Sequence, residues 1–348
     1  MLKITVSSNE AGQRLDKLLS KYMEEAPKSF LYKMLRKKNI KLNGGRAQGS
    51  EKLNLGDEIT IFLADDTIEK FAGKKFEKNS RNIPTDISRA LDTKIRPDII
   101  YEDNAVLFLN KPAGMLSQKA NANDLSLNEY MIAYLIDSNA LKSDELKSFR
   151  PSVCNRLDRN TSGLVAAGKT LAGLQTLSEM FRMRSMEKYY LTIVNGVLKE
   201  ERHISGYLAK NEKNNTVQIL SEACENTQWV ETAYRPLANN GRSTLLAVHL
   251  ITGRTHQIRA HLASTGHPVI GDYKYGNRKV NEYFKRIYHL QAQLLHSWQM
   301  KFPVCDGALE ALSCRQITAP LPKIFIRIIK GEKIPWEPGT PEDSEGLH

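Results

Sequence analysis

The sequence predicts an α+β protein in two folded pieces, a small module over residues 1–63 and a large domain over residues 96–330. Two observations predict it. Strand-like segments of the large domain come in runs with few helices between them, which favours a mixed, mostly antiparallel β-sheet over a doubly wound one. Residues 64–95 mix charged and polar residues with little periodicity, so they read as a linker with one short helix. The chain of 348 residues suits two domains, at ~150 residues each. It can bury a large core without disulfide staples.

In the module, Leu15, Leu18, Leu19, Tyr22 and Met23 recur at helical spacing and form one apolar stripe. A second helix follows Pro27, with Phe30, Leu31, Met34 and Leu35 on its apolar side and Lys33, Arg36 and Lys37 aligned on the other. Residues 39–43 alternate at period two and run into Asn43-Gly44-Gly45, a hairpin signal. Leu55-Gly56-Asp57 is a further turn, before a strand over residues 58–62. In the large domain, Ile99-Ile100-Tyr101 and residues 105–109 read as strands around the turn Glu102-Asp103-Asn104. Residues 164–167 make a short strand, and Thr170 is placed to cap a helix carrying Leu171, Leu174, Leu177 and Phe181. Strands follow at residues 190–194, 217–220 and 245–250. Residues 331–348 are rich in Pro, Gly and acidic residues and are expected to form a mobile tail.

Composition narrows the function. Hydrophobic residues are 41% and charged residues 26%, ordinary globular values that argue against wholesale disorder. No apolar run approaches the ~18 residues of a membrane helix, and the opening MLKITVSSNE lacks the apolar core of a secretory signal. Cys154, Cys224, Cys305 and Cys314 are scattered without metal-like spacing, which fits a reducing compartment. The expectation is a soluble, cytoplasmic protein acting as a monomer without membrane attachment. Fifty Lys and Arg against 39 Asp and Glu leave a net charge of +11. That excess points to a polyanionic partner, most often nucleic acid.

The module's GQRLDKLL, PKSFLYKMLRKKNIKLNG and LGDEITIF, over about residues 12–63, resemble the S4 RNA-binding domain, a small fold of the α-L type. The resemblance implies RNA contacts from the helix pair and the loop after it, here Lys28, Ser29, Lys33, Arg36, Lys37, Lys38 and Lys41. A charge run usually marks only a solvated helix face. The single sign of this one, and its continuation into the turn, favour RNA held by its phosphates rather than read by sequence.

Several chemistries have no support. There is no Gly-rich phosphate loop of either standard spacing and no GxSxG elbow. His256, His261 and His267 do not fall on one helix face, and no HExxH or cysteine pair supports them, so no metal is expected. More unusual is Asn155-Arg156-Leu157-Asp158-Arg159-Asn160-Thr161-Ser162-Gly163, where one carboxylate sits between two arginines ahead of an apolar strand. Alone, it would read as an Asp tying down a loop.

It does not stand alone. YEDNAVLFLNKPAGMLS, NRLDRNTSGLV, EKYYLTIVNG, TGRTHQIRAHLASTGHPVIGDYKYG and LLHSWQMKF occur in that order across residues 96–330. Together they resemble the pseudouridine synthases that modify large-subunit ribosomal RNA and some transfer RNA. An S4 module placed first matches the subgroup acting on large-subunit ribosomal RNA. The resemblance implies a cofactor-free isomerisation of uridine. The base–ribose bond breaks, the base turns, and the bond re-forms at C5, with no redox change and no net hydrolysis. By the family's pattern Asp158 is the catalytic carboxylate, as nucleophile or as base, and Arg259 of the QIR triplet is its paired cation. Tyr190 of the K-x-Y block stacks on the turning base, and Leu295 packs against it. Arg156 fills the hole left by the extruded uridine, which offsets part of the cost of extrusion. Arg254 supports the loop or a phosphate. Asn155 stands where the family usually has His, at a position counted with the substrate contacts. Lys111, Pro112 and Gly114 are expected to shape a loop near the cleft. The competing reading is a non-catalytic RNA-binding or ribosome-assembly factor on the same scaffold. The full set of Asp158, Tyr190 and Arg259 argues against it. A hydrolase using the histidine cluster lacks ligands.

Overall fold

The computed structural model describes all residues except 8–9, 73–82, 94, 212–213, 215 and 338–348. The small module contains β1 (Leu2–Thr5), α1 (Leu15–Tyr22), α2 (Lys28–Arg36), β2 (Ile40–Leu42), β3 (Gly45–Arg46) and β4 (Glu58–Ile61). Its strands pair antiparallel in the order β1-β4-β2-β3. The apolar stripe of α1 is buried at Leu15, Leu18 and Leu19, and Leu31, Met34 and Leu35 of α2 meet it. Lys33 and Arg36, on the opposite side of α2, stay exposed.

The segment expected to be a linker carries two helices, α3 (Asp65–Ala72) and α4 (Thr85–Asp92). They dock on different pieces. Phe71 of α3 lies against Phe30 with ring centroids 4.5 Å apart and so completes the module's core. Ile87 and Ala90 of α4 are buried in the large domain, against α5 (Leu127–Asp137). Each helix has eight residues, too short for a stripe to repeat, so neither gave a periodic signal. The stretch between them, residues 73–82, lies outside the described residues.

The large domain adds β5 (Asp98–Glu102), β6 (Val106–Lys111), β7 (Ser152–Val153), β8 (Ser162–Gly168), α6 (Leu171–Met183), β9 (Glu187–Asn195), β10 (Arg202–Asn211), β11 (Thr216–Leu220), β12 (Gln228–Asn239) and β13 (Ser243–Leu250). It continues with α7 (Gln257–Ser264), α8 (Arg278–Tyr288), β14 (Leu295–Lys301), β15 (Gln316–Thr318) and α9 (Lys323–Gly331). These strands form an 11-stranded sheet along the path β11-β10-β12-β13-β9-β14-β8-β6-β5, with β15 on β14 and β7 on β8. The β14–β8 pair is parallel and the other pairs are antiparallel, so the sheet is mixed and mostly antiparallel as expected. Its centre is covered on both faces. On β6, Leu107 and Leu109 pack with α5, while Val106 and Phe108 pack with α6 and the 3-10 helix Gly307–Leu312. A strand buried on both faces reads as a continuous apolar run.

Two helix starts follow capping chemistry. The Thr170 hydroxyl accepts a hydrogen bond from the Gly173 amide at 3.1 Å and caps α6 as predicted. Helix α5 begins with a capping box, Ser126 and Glu129. Leu127, Tyr130, Met131, Ile132 and Leu135 cover both its faces, so it lacks the one-sided stripe that marks a helix in sequence. At the β8–β14 crossing, a Cβ on Gly163 would stand 2.1 Å from the Ser297 carbonyl oxygen, at a φ of +111°. Only glycine lets the two strands meet there. The first residues of the expected tail are not loose: Ile334 is buried beside α8 and α9, and Trp336 packs half-buried on the same cluster. Residues 338–348 of that tail lie outside the described residues.

Candidate active site

An open cleft of about 1030 Å³ lies between the loop entering β8, the start of β9, and the loop and first turns of α7. Asp158, Tyr190, Arg259, Arg156, Leu295, Arg254 and Asn155 all line it. Sequence order had scattered them over more than a hundred residues.

Asp158 and Arg259 are directly paired. Arg259 Nη1 donates to Asp158 Oδ2 at 2.8 Å. The other edge of the guanidinium forks Asp272, with Nε donating to Oδ2 at 2.6 Å and Nη2 to Oδ1 at 2.9 Å. Asp272 is fully buried and is fixed in turn by the Lys274 and Tyr275 amides. The Tyr275 ring lies under the guanidinium, 5.0 Å from centroid to Cζ. Burial works against the charge on Arg259, but Asp272 and then Asp158 outweigh it and push its pKa further up. The cation is therefore locked from behind and presents one N–H to Asp158. The Asp158 side chain keeps 24% of its surface open to the cleft.

The loop carrying Asp158 is zipped to residues 111–117. Fully buried Lys111 donates to the carbonyls of Pro112, Met115 and Arg159 at 3.0, 2.8 and 3.1 Å. Burial lowers its pKa to about 7, with Asp158 acting in the opposite sense. The Gly114 amide donates to the Arg159 carbonyl, and Ser117 exchanges hydrogen bonds with both backbone groups of Leu157.

Strand alternation sets the facing wall. Tyr190 lines the cleft, while Tyr189 points away, stacked on His249 and donating to Glu187. Tyr190 is buried, and burial pushes its phenol up to about 12. Leu295, also buried, opens β14, whose Ser297 lies opposite Tyr190 in the ladder. Arg156 and Arg254 are exposed at the rim. Asn155 is differently engaged. Its Nδ2 donates to the Leu164 carbonyl at 3.3 Å and its Oδ1 accepts from the Ala166 amide at 2.8 Å, so both ends of its amide are engaged on β8.

Residue-level reading of the sequence missed three cleft features. Asp272, behind Arg259, stood in a quoted block, but its spacing of thirteen from Arg259 gave no sign that it folds back. His256 holds Nε2 3.9 Å from Asp158 and shares Nδ1 with the Tyr275 hydroxyl at 2.9 Å. Lys188 lines the cleft one strand period before Tyr190. The other histidines serve elsewhere, His261 with the Thr232 hydroxyl and His267 with the Asn195 carbonyl. Among the described residues no group of three His, Cys, Asp or Glu could hold a metal.

The cations expected to meet RNA lie on the small module. Lys28, Ser29, Lys33, Arg36, Lys37 and Lys38 are exposed on α2 and the turn after it. Lys41 sits over the exposed Phe62 ring, 5.3 Å from its centroid. None of them lines the cleft.

The family described as RNA pseudouridylate synthase matches residues 105–264. The chain is 30% identical over 333 residues to "Ribosomal large subunit pseudouridine synthase C" of Haemophilus ducreyi, covering 94% of this chain and 96% of that protein. It is 28% identical over 331 residues to the protein of the same name from Vibrio parahaemolyticus, covering 94% and 95%. Among solved structures it is similar to "Human RNA Pseudouridylate Synthase Domain Containing 4", with a TM-score of 0.56 and 21% identity over 72% of this chain and 97% of that one. That last likeness is one of fold.

Proposed function

This chain belongs to the RNA pseudouridylate synthase family, and from that footing we propose that it isomerises uridine in large-subunit ribosomal RNA, with Asp158 as the catalytic carboxylate. One observation carries the reading. Asp158 faces an open cleft while a single N–H of a locked arginine holds it at 2.8 Å. A carboxylate serving only as a loop anchor has no need of that opening, since Lys111 and Ser117 already fasten the loop.

The chemistry asks little more. The bond between N1 and the ribose C1′ breaks, the base turns, C5 joins C1′, the C5 proton leaves to solvent, and the freed N1 takes up a proton. Asp158 acts toward the ribose, as nucleophile or as base. Arg259 positions it, and Asp272 positions Arg259. Tyr190 and Leu295 offer the extruded base a flat ring and an apolar wall. Arg156, exposed at the rim, would enter the vacated stack, and Arg254 would meet a phosphate. For Asn155 we propose a positioning role, because both ends of its amide are held by β8.

The small module is proposed to be an S4 domain that grips RNA. In its support, Lys28, Lys33, Arg36, Lys37 and Lys38 have no carboxylate partner among the described residues. No described carboxylate neutralises that face. No described helix is long and apolar enough to cross a membrane. Because the proposed substrate is ribosomal RNA, we place the chain's action in the cytoplasm.

The test is a pseudouridine map of large-subunit ribosomal RNA from cells with and without the gene. The expected result is loss at one or a few uridines, restored when the purified protein acts on a transcript. Identical maps would overturn the assignment to that RNA.

A further inference from the structure

Two buried lysines in this domain contrast sharply. Lys111 is fully buried, and three carbonyls receive its ammonium. Lys188 is 7% exposed, and among the described residues its ammonium has no hydrogen bond and no ion pair. Its charged neighbour is another cation, Arg184. Both line the same end of the cleft. The Lys188 stem is buried while its ammonium opens only into the cleft, beside a second positive charge and with no acceptor among the described residues. A fold keeps such a group where a ligand supplies the missing anion.

Position says which anion. Lys188 and Tyr190 share one face of β9 and both line the cleft, about 7 Å apart along the strand. That is within the span of one nucleotide. Arg184 ends α6 in the left-handed conformation, at a φ of +57°, which turns the chain at the cleft's edge. Arg182 nearby is already paired with Glu179 and is less available.

We propose that Lys188 and Arg184 form a phosphate pocket for the backbone phosphodiester adjoining the extruded uridine. This rests on Tyr190 facing that base. The pocket holds the target strand in register while the base turns, and the RNA completes the coordination that Lys188 lacks in the free protein.

The test compares wild type with Lys188→Met, which keeps the length of the side chain and removes the charge. A second variant, Arg184→Asn, tolerates the left-handed backbone. Filter binding to a target stem-loop at several salt concentrations is measured beside tritium release from 5-tritiated uridine RNA and thermal unfolding of the free protein. Lys188→Met should weaken RNA binding and raise KM by about tenfold, with kcat within about threefold of wild type. One lost contact should reduce the salt slope by about 0.7–0.9. The free variant should melt no lower than wild type, because no hydrogen bond or ion pair among the described residues is lost. Arg184→Asn should shift binding in the same direction by less. Unchanged affinity and slope in Lys188→Met would overturn the proposal, as would a lowered melting temperature with parallel loss of kcat, the mark of a structural lysine. A wild type that releases no tritium would fail the isomerase reading instead, while the binding and melting results would still judge the pocket.

Discussion

At the scale of single residues, the proposed chemistry depends on how one guanidinium is held. Arg259 has two carboxylates on it, and the buried one is the more firmly bound, through two hydrogen bonds. Asp272 therefore sets where Arg259 points, and only then can Arg259 orient Asp158. Asp272→Asn keeps the shape but breaks the fork, since an amide cannot accept on both atoms. We expect kcat to fall ten- to hundredfold, about 1.4–2.7 kcal/mol on the barrier, with KM within threefold. Steady-state kinetics on a target stem-loop check this. An equal rise in KM with no change in kcat would contradict a positioning role. The grouping of Asp158, Tyr190 and Arg259 in one cleft was legible only through the family resemblance, since the Asp158 block alone reads as a loop anchor. Asp272 and Lys188 were not. Their meaning lies in what is or is not beside them in space, and no spacing along the chain records an absent partner. Asn155 could be seen as a departure from a pattern, but its two bonds to β8 could not.

At the scale of elements, sequence periodicity served only some of the helices with one wet face, and α8 and α9, both one-sided, were passed over. It found α1, α2 and α6 through their stripes and the Thr170 cap. It passed over α5, which is apolar all round, and α4, which offers two buried positions in one short helix. The small module also proves longer than its motif, since Phe71 of α3 belongs to its core. A truncation meant to remove that module should end at residue 72 rather than 63. Removing residues 1–72 should weaken binding to full-length ribosomal RNA and flatten its salt dependence, because fewer phosphate contacts release fewer counterions. Tritium release from a short target stem-loop should persist. A truncated protein with the wild-type salt slope would show that the exposed cations of α2 do not hold RNA.

Over the whole molecule, two buried histidines tie stability to pH. His261 is 1% and His296 0% exposed, and burial depresses each pKa to about 4. The unfolded chain takes up these protons near 6.5, the folded protein only near 4. Their contribution is thus full above about pH 6.5 and is lost as the pH falls towards 4. Lys111 changes charge only above that window. Melting temperature should fall steeply from pH 6.5 to 4.5, and a flat profile would contradict neutral burial. On the proposed reading, grip rests mainly on exposed cations of the module and cleft rim, and chemistry on one carboxylate in the cleft. Asp158→Asn tests that division most directly, because it removes the charge and keeps the shape. Tritium release from 5-tritiated uridine RNA is measured beside a filter-binding constant at one salt concentration, on protein shown to be folded. The account predicts release reduced by at least ~10²–10⁴, with binding equal to wild type or slightly tighter, since an anion facing RNA is gone. Wild-type release by the folded variant, or parallel loss of binding and release, would contradict it.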